Sequence, residues 1–163
     1  MLVQHFQRLA RYNTLANDKL YAACAQLSDA ERTLTRPAFF KSIHGTLNHI
    51  LVGDRIWMTR FEGSTIPSTG LNAILHEDFD VLRVARVEQD ERIEAFAAGL
   101  TDKFLAQSIQ YINNQGRHLD DPADLLVAHL FNHQTHHRGQ IHDLLTQTAV
   151  EPPSLDLHRL LRP

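Results

Sequence analysis

The feature that most constrains this chain is the recurrence of apolar residues at three- and four-residue spacing over several long stretches, the period of one face of an α-helix. Leu2, Phe6, Leu9, Ala16, Leu20 and Leu27 mark the first stretch, with Asn13 as the one polar residue on that seam. Ile43, Leu47, Ile50, Leu51, Trp57, Met58 and Phe61 mark a second, with Ser42 placed to cap it and Gly63 to end it. It carries His49 and Asp54. A third runs from about Asp78 to Ala98 through Phe79, Leu82, Ile93 and Phe96, with Gly99 at its end, and its many charges make it the most solvated of the set. In the fourth, Asp121 is placed to cap and Pro122 to take the first helical position, and Leu125, Leu126, Leu130, Ile141, Leu144 and Leu145 carry the pattern to about Ala149.

The connections are short. Ser28 and Asp29 interrupt the first helix, and Thr33 to Pro37 reads as a connecting segment because Pro37 restricts Arg36 away from helical backbone. Gly63 to Gly70, rich in Ser, Thr, Gly and Pro, reads as an exposed loop. Ser108 to Leu119 alternates Ile109 and Tyr111 with polar residues around Asn113-Asn114-Gln115-Gly116, which suits a short hairpin with Gly116 at the turn. After Pro152-Pro153 only a short terminal segment remains. A length of 163 residues with 43% hydrophobic content suits one core, so the expected architecture is all-α: a four-helix bundle forming a single domain over residues 1–163, with a short β-hairpin before the last long helix.

Composition excludes several roles. The 16 basic and 19 acidic residues are spread along the chain, so no basic stripe offers itself to a phosphate backbone and nucleic acid is not an expected partner. No run approaches the roughly 20 apolar residues of a membrane span, and no export signal is visible in the first stretch, so a soluble protein is expected. Cys24, the only cysteine, rules out an internal disulfide and suits a reducing compartment, with the cytoplasm as the expected location. It has no obvious activating neighbour and reads as an inert, small apolar group.

Histidine is the unusual component, with 11 copies, four of which (His129, His133, His136 and His137) fall within nine residues. On a helix, residues four apart lie on one face, so His133 and His137 can converge on one ion, and so can His129 and His133. His129 and His137 are separated by roughly 12 Å of helix and cannot both join His133 without strain. His133 with His136 is a further option, and spacing alone does not choose. Two histidines bind weakly without a third donor from another element. The second helix offers His44 and His49, of which His49 lies deeper in the helix and is better placed to reach a bundle interior. The remaining histidines read as surface or satisfied residues. Asp54, on an apolar face, reads as a structural ion-pair or hydrogen-bond group with Arg138 as a candidate partner. Tyr12, Trp57 and Tyr111 read as packing residues.

Asn132-His133-Gln134-Thr135-His136-His137-Arg138-Gly139-Gln140 resembles the signature of the DinB-like (damage-inducible) family. Leu47-Asn48-His49-Ile50, followed by Asp54-Arg55-Ile56-Trp57, resembles that family's other signature, and Asn13 with Ala16-Asn17 is a weaker match; Leu15 stands where the family often has Trp. The resemblance implies a bundle of the DinB/YfiT type, commonly a homodimer, with a metal site made by one histidine of the second helix and the HxxxH pair of the last. Carried onto this chain, the ligands are His49, His133 and His137, with His129 and His136 outside. Relatives include metal-dependent transferases that act on low-molecular-weight thiols. Three neutral imidazoles with an open fourth position suit a divalent transition metal, zinc or nickel first, that lowers the pKa of a bound water or thiol. The expected function is therefore a metal-dependent enzyme of the thiol-transferase or hydrolase type with a small-molecule substrate. The alternative is a non-catalytic metal-binding or stress-response bundle acting through partners, which a fourth donor from Asp54, His129 or His136 would favour.

Overall fold

Each of the four long apolar stretches folds as a helix in the computed structural model, which describes residues 1–64 and 70–162. In chain order the elements are α1 (Leu2–Cys24), α2 (Asp29–Thr33), α3 (Ile43–Phe61), α4 (Phe79–Ala98), α5 (Asp102–Leu105), β1 (Ser108–Ile112), β2 (His118–Pro122), α6 (Ala123–Leu145) and α7 (Leu157–Leu161). The helices α1, α3, α4 and α6 pack against one another as the bundle, and α7 lies on α1. Ser42 Oγ accepts from the Gly45 N–H at 3.0 Å and Asp78 Oδ1 from the Val81 N–H at 2.9 Å, so both expected starts carry a side-chain cap. The hairpin is present: β1 and β2 pair antiparallel with Ser108 opposite Pro122, and Gly116 turns the chain at φ +74°. Residues 65–69 of the expected Gly63–Gly70 loop lie outside the described residues.

Several boundaries differ from the sequence reading, each for a local reason. The first helix ends at Cys24 because Arg32 folds back to donate to the carbonyls of Cys24 and Leu27, capping orphan acceptors at its end. Ser28 and Asp29 start a helix as well as interrupting one. Ser28 Oγ accepts from the Glu31 N–H, and the Ser-x-x-Glu spacing of a capping box was the signal for α2. Asp121 does not cap α6 and Pro122 is not its first residue. Both belong to β2, where the Asp121 carboxylate accepts from the Tyr111 hydroxyl at 2.8 Å, and the helix begins one residue later with no side-chain cap.

The core has two apolar clusters with a polar layer between them. One end packs Leu20, Leu47, Leu51, Leu82, Ile141 and Leu145; the other packs Phe6, Met58, Phe61, Ile93, Leu130 and Phe131. At the middle of the four helices, buried polar residues replace the apolar ones: Asn13 and Asn17 on α1, Asp54 on α3, Arg86 and Asp90 on α4, Gln134 and Arg138 on α6. The third long helix is the most exposed of the four, as expected, yet Arg86, Gln89 and Asp90 on it are buried. The pairing of Asp54 with Arg138 is corrected here. Arg86 bonds Asp54 at 2.5 Å and lies 2.9 Å from Asp90, while Arg138 donates to the side-chain oxygens of Asn13 and Asn17. Asn13 and Asn17 in turn donate to Asp90 at 2.7 and 3.0 Å. Two carboxylates and two guanidiniums leave the layer formally neutral, which is what makes it tolerable inside a bundle.

Candidate metal centre

The candidate site sits at the level of this polar layer. On α6, His133 and His137 each precede a layer residue, Gln134 and Arg138, and being four apart they project from one side of the helix. His49 on α3 faces them, with its Nε2 3.1 Å from Nε2 of His133 and 3.1 Å from Nε2 of His137. Ligand atoms of all three lie within 4.8 Å of one another, and among the described residues no fourth His, Cys, Asp or Glu joins the group. His129 packs edge-on to Trp57 at 5.1 Å between ring centres, and His136 is exposed with its Nε2 3.2 Å from Nε2 of Gln140. Neither belongs to the group of three. His44 is buried and bonded through Nε2 to the His76 carbonyl at 2.8 Å.

The proton positions follow from the other ring nitrogens. His49 Nδ1 lies 2.9 Å from the Leu71 carbonyl oxygen, which can only accept, so Nδ1 carries the hydrogen and Nε2 presents a lone pair. His137 Nδ1 likewise donates to Gln140 Oε1 at 2.8 Å. Two bare lone pairs therefore face each other at 3.1 Å between His49 and His137, a contact no neutral hydrogen bond can make. A cation fits there: with Zn–N bonds of about 2.0–2.1 Å, tetrahedral ligands stand about 3.3 Å apart. Burial lowers the pKa of His49 and of His137, and burial together with the neighbouring His137 and His49 rings pushes His133 down to about 3. All three rings are thus neutral near pH 7, the form that binds a metal.

Residues without ligand atoms shape the centre, and sequence reasoning passed over most of them. Asn48 pins the segment that supplies the Leu71 carbonyl, accepting from the N–H groups of Leu75 and His76 at 2.9 and 3.0 Å and donating to the His76 carbonyl at 3.2 Å. Its place beside His49 in the recognised motif was the available signal. Phe40 stacks on His49 with ring centres 3.7 Å apart and meets His137 edge-on at 5.4 Å, covering one side of the group. Gly45 lets it do so, because a Cβ there would overlap the Phe40 carbonyl oxygen. Gly53 leaves room for the His133 ring, whose Cε1 would lie 2.7 Å from a Cβ at that position.

Fold and site together define a helical bundle whose midplane holds three histidines that could take one metal ion. The chain belongs to the DinB family, whose model matches residues 1–163. Protein DinB of Bacillus subtilis (strain 168) is 25% identical over 165 residues, covering 91% of this chain and 89% of that protein. The crystal structure of a DinB-like protein from Bacillus cereus ATCC 10987 shares the fold with a TM-score of 0.64 at 20% identity, covering 86% of this chain and 91% of that one. Among the described residues no helix is long and apolar enough to cross a membrane.

Proposed function

We propose that this chain is a metal-dependent enzyme of the thiol-transferase or hydrolase type that holds one divalent transition metal, zinc or nickel first, through His49, His133 and His137. The observation that carries the reading is the 3.1 Å approach of two Nε2 atoms whose Nδ1 partners are both committed as donors. When bound, such an ion supplies Lewis acidity, lowering the pKa of a water or thiol near it. The chain's own residues do the rest. Leu71 and Gln140 hold two imidazoles in the ligating tautomer, and Phe40 keeps water from one side. The lack of a fourth protein donor among the described residues supports an open, catalytic position over a closed structural one.

The substrate class we assign is a small molecule bearing a low-molecular-weight thiol or an electrophile that accepts one, and the working form is a cytoplasmic homodimer. Metal content of untagged protein purified without added metal, measured by elemental mass spectrometry, tests the core of the reading. About one equivalent in the parent and none in His133→Ala is expected. No metal in either, and none taken up when zinc or nickel is added, overturns it. Thiol-transfer and hydrolysis screens on the loaded and chelator-stripped forms then test the reaction class.

A further inference from the structure

Arg60 is an arginine without an acid. Arg32, Arg36, Arg86 and Arg92 each reach a carboxylate within 4.0 Å, whereas Arg60 reaches none among the described residues. Its guanidinium is instead packed into the corner of two edge-on rings, 4.5 Å from the centroid of Trp57 and 4.5 Å from that of Tyr111, and Nη2 donates to the Ile112 carbonyl at 3.2 Å. The acid of that corner, Asp121, is taken by the Tyr111 hydroxyl. With their centroids only 5.6 Å apart the two rings form a corner that seats the guanidinium; its Nε is buried and Nη2 bonds Ile112, which leaves the Nη1–Nη2 end as the part that can meet a ligand. Partial burial lowers the pKa of Arg60, as expected of a cation lacking a countercharge.

This cation ends a wall of rings that starts at the three histidines. Gly53 and Trp57, one turn apart on α3, meet His133 and His129, one turn apart on α6. The ring centres step 6.0 Å from His133 to His129 and 5.1 Å from His129 to Trp57, where the Arg60 guanidinium sits. His129 is exposed, and His133, Trp57, Arg60 and Tyr111 are half-buried, so the wall is open to a ligand. Steps of 6.0, 5.1 and 4.5 Å bound the span from His133 to the guanidinium at about 16 Å, no more than about five extended residues.

We infer that Arg60, with Trp57 and His129 beside it, forms an anion subsite that holds a carboxylate of a substrate whose reacting end lies at the three histidines. The inference rests on the metal-centre reading for that end alone. A guanidinium fork matches a carboxylate in two parallel N–H bonds, and aromatic neighbours hold the fork ready. The substrate class narrows accordingly to a carboxylate-bearing thiol of about peptide length, or its conjugate.

Trp57 is the only tryptophan, so its fluorescence reports the subsite directly. The probe is S-methylglutathione, which keeps both carboxylates but has no free thiol, titrated into the metal-free chain beside its diethyl ester. The acid is expected to bind at least tenfold more tightly than the ester, and Arg60→Met to remove that preference while thermal melting shows a folded protein. Equal responses to acid and ester, no response to either, or an unchanged preference in Arg60→Met overturns the subsite and leaves Arg60 as a clasp between α3 and the hairpin. A second titration separates the two readings. Free-thiol glutathione should gain affinity on zinc loading in both parent and Arg60→Met, and loss of that gain alone would refute the metal centre while leaving the carboxylate preference standing.

Discussion

Arg86→Met should reveal how strongly the polar layer holds the bundle. Arg86 lies between two buried carboxylates, 2.5 Å from Asp54 and 2.9 Å from Asp90, and the substitution keeps a comparable apolar stem while removing the cation both acids depend on. Removing one partner of a buried ion pair costs about 3–5 kcal/mol, because the remaining charge stays buried without compensation. Against a total of about 5–15 kcal/mol for a domain, that is about a fifth of the stability or more. At roughly 2–4 °C per kcal/mol for a chain of this size, the melting temperature should fall by about 6–20 °C at pH 8.

The same substitution has a pH signature with a definite sign. Burial already raises the carboxyls of Asp54 and Asp90, with Arg86 pulling both back down, so without Arg86 both rise further. Between an unfolded carboxyl near ~3.9 and the raised folded value, the native state binds more protons than the unfolded one. Stability then falls as pH rises through that window, by at most about 1.4 kcal/mol per pH unit for each carboxyl. The deficit of Arg86→Met relative to the parent should therefore be largest at pH 8 and smaller at pH 5, where the orphaned acids take up protons. Urea unfolding followed by circular dichroism at both pH values measures it, and the 11 histidines, common to both proteins, cancel to first order in the difference. A deficit below about 1 kcal/mol at pH 8, or one that does not shrink at pH 5, would refute the reasoning.

Gly53→Ala adds a methyl 2.7 Å from the His133 ring while gaining up to about 1 kcal/mol of helix propensity, so zinc affinity in a chelator competition should fall by tenfold or more with stability kept or raised; undiminished affinity would show that the ring has room to spare. Gln140→Leu removes the acceptor that fixes the His137 tautomer and should weaken metal binding by about 10–100-fold, with thermal stability of the metal-free protein unchanged. His49→Ala and His137→Ala should each abolish metal uptake while His129→Ala keeps it, and equal loss at all three would mean that the ligand set is wrongly drawn. Cys24 is buried, and burial pushes its thiol up to about 12, so it should react with a disulfide reagent only at the rate of unfolding. Gel filtration should return twice the mass of the chain, and a clean monomer would remove the homodimer.

Periodicity was enough for the long helices and for the hairpin because each is a local pattern repeated many times. The His133–His137 pair was legible as a spacing, but the spacing left His129 and His136 in play, and the resemblance named the pair together with His49. The supporting contacts were harder to foresee. Leu71 acts through its backbone carbonyl, 22 residues along the chain from His49, and no side-chain pattern announces a carbonyl. Gly53 and Gly45 matter for what they lack, which only the packed rings make visible. Gln140, three residues after His137 on the same helix, was within reach of helical geometry and went unread.

The polar layer was the largest omission, and its signal lay in the seams themselves. Leu82, Arg86, Gln89 and Ile93 follow one another at spacings of four, three and four, so Arg86 and Gln89 occupy the apolar stripe of α4 and not its solvated face. Asn13 interrupts the stripe of α1 and Asp54 that of α3 in the same way, and each interruption taken singly looks like noise. Their common height makes sense only when four helices are assembled, because the charges are matched between helices and not within one. That matching bears on the histidines. Sliding one helix by a turn, about 5.4 Å, would bring Asp54 or Arg86 against an apolar cluster and leave its partner unpaired, at a cost comparable to that worked out for Arg86→Met. The register that satisfies the layer is also the one that holds His49 Nε2 3.1 Å from both His133 and His137, so the layer acts as the axial lock that assembles the site.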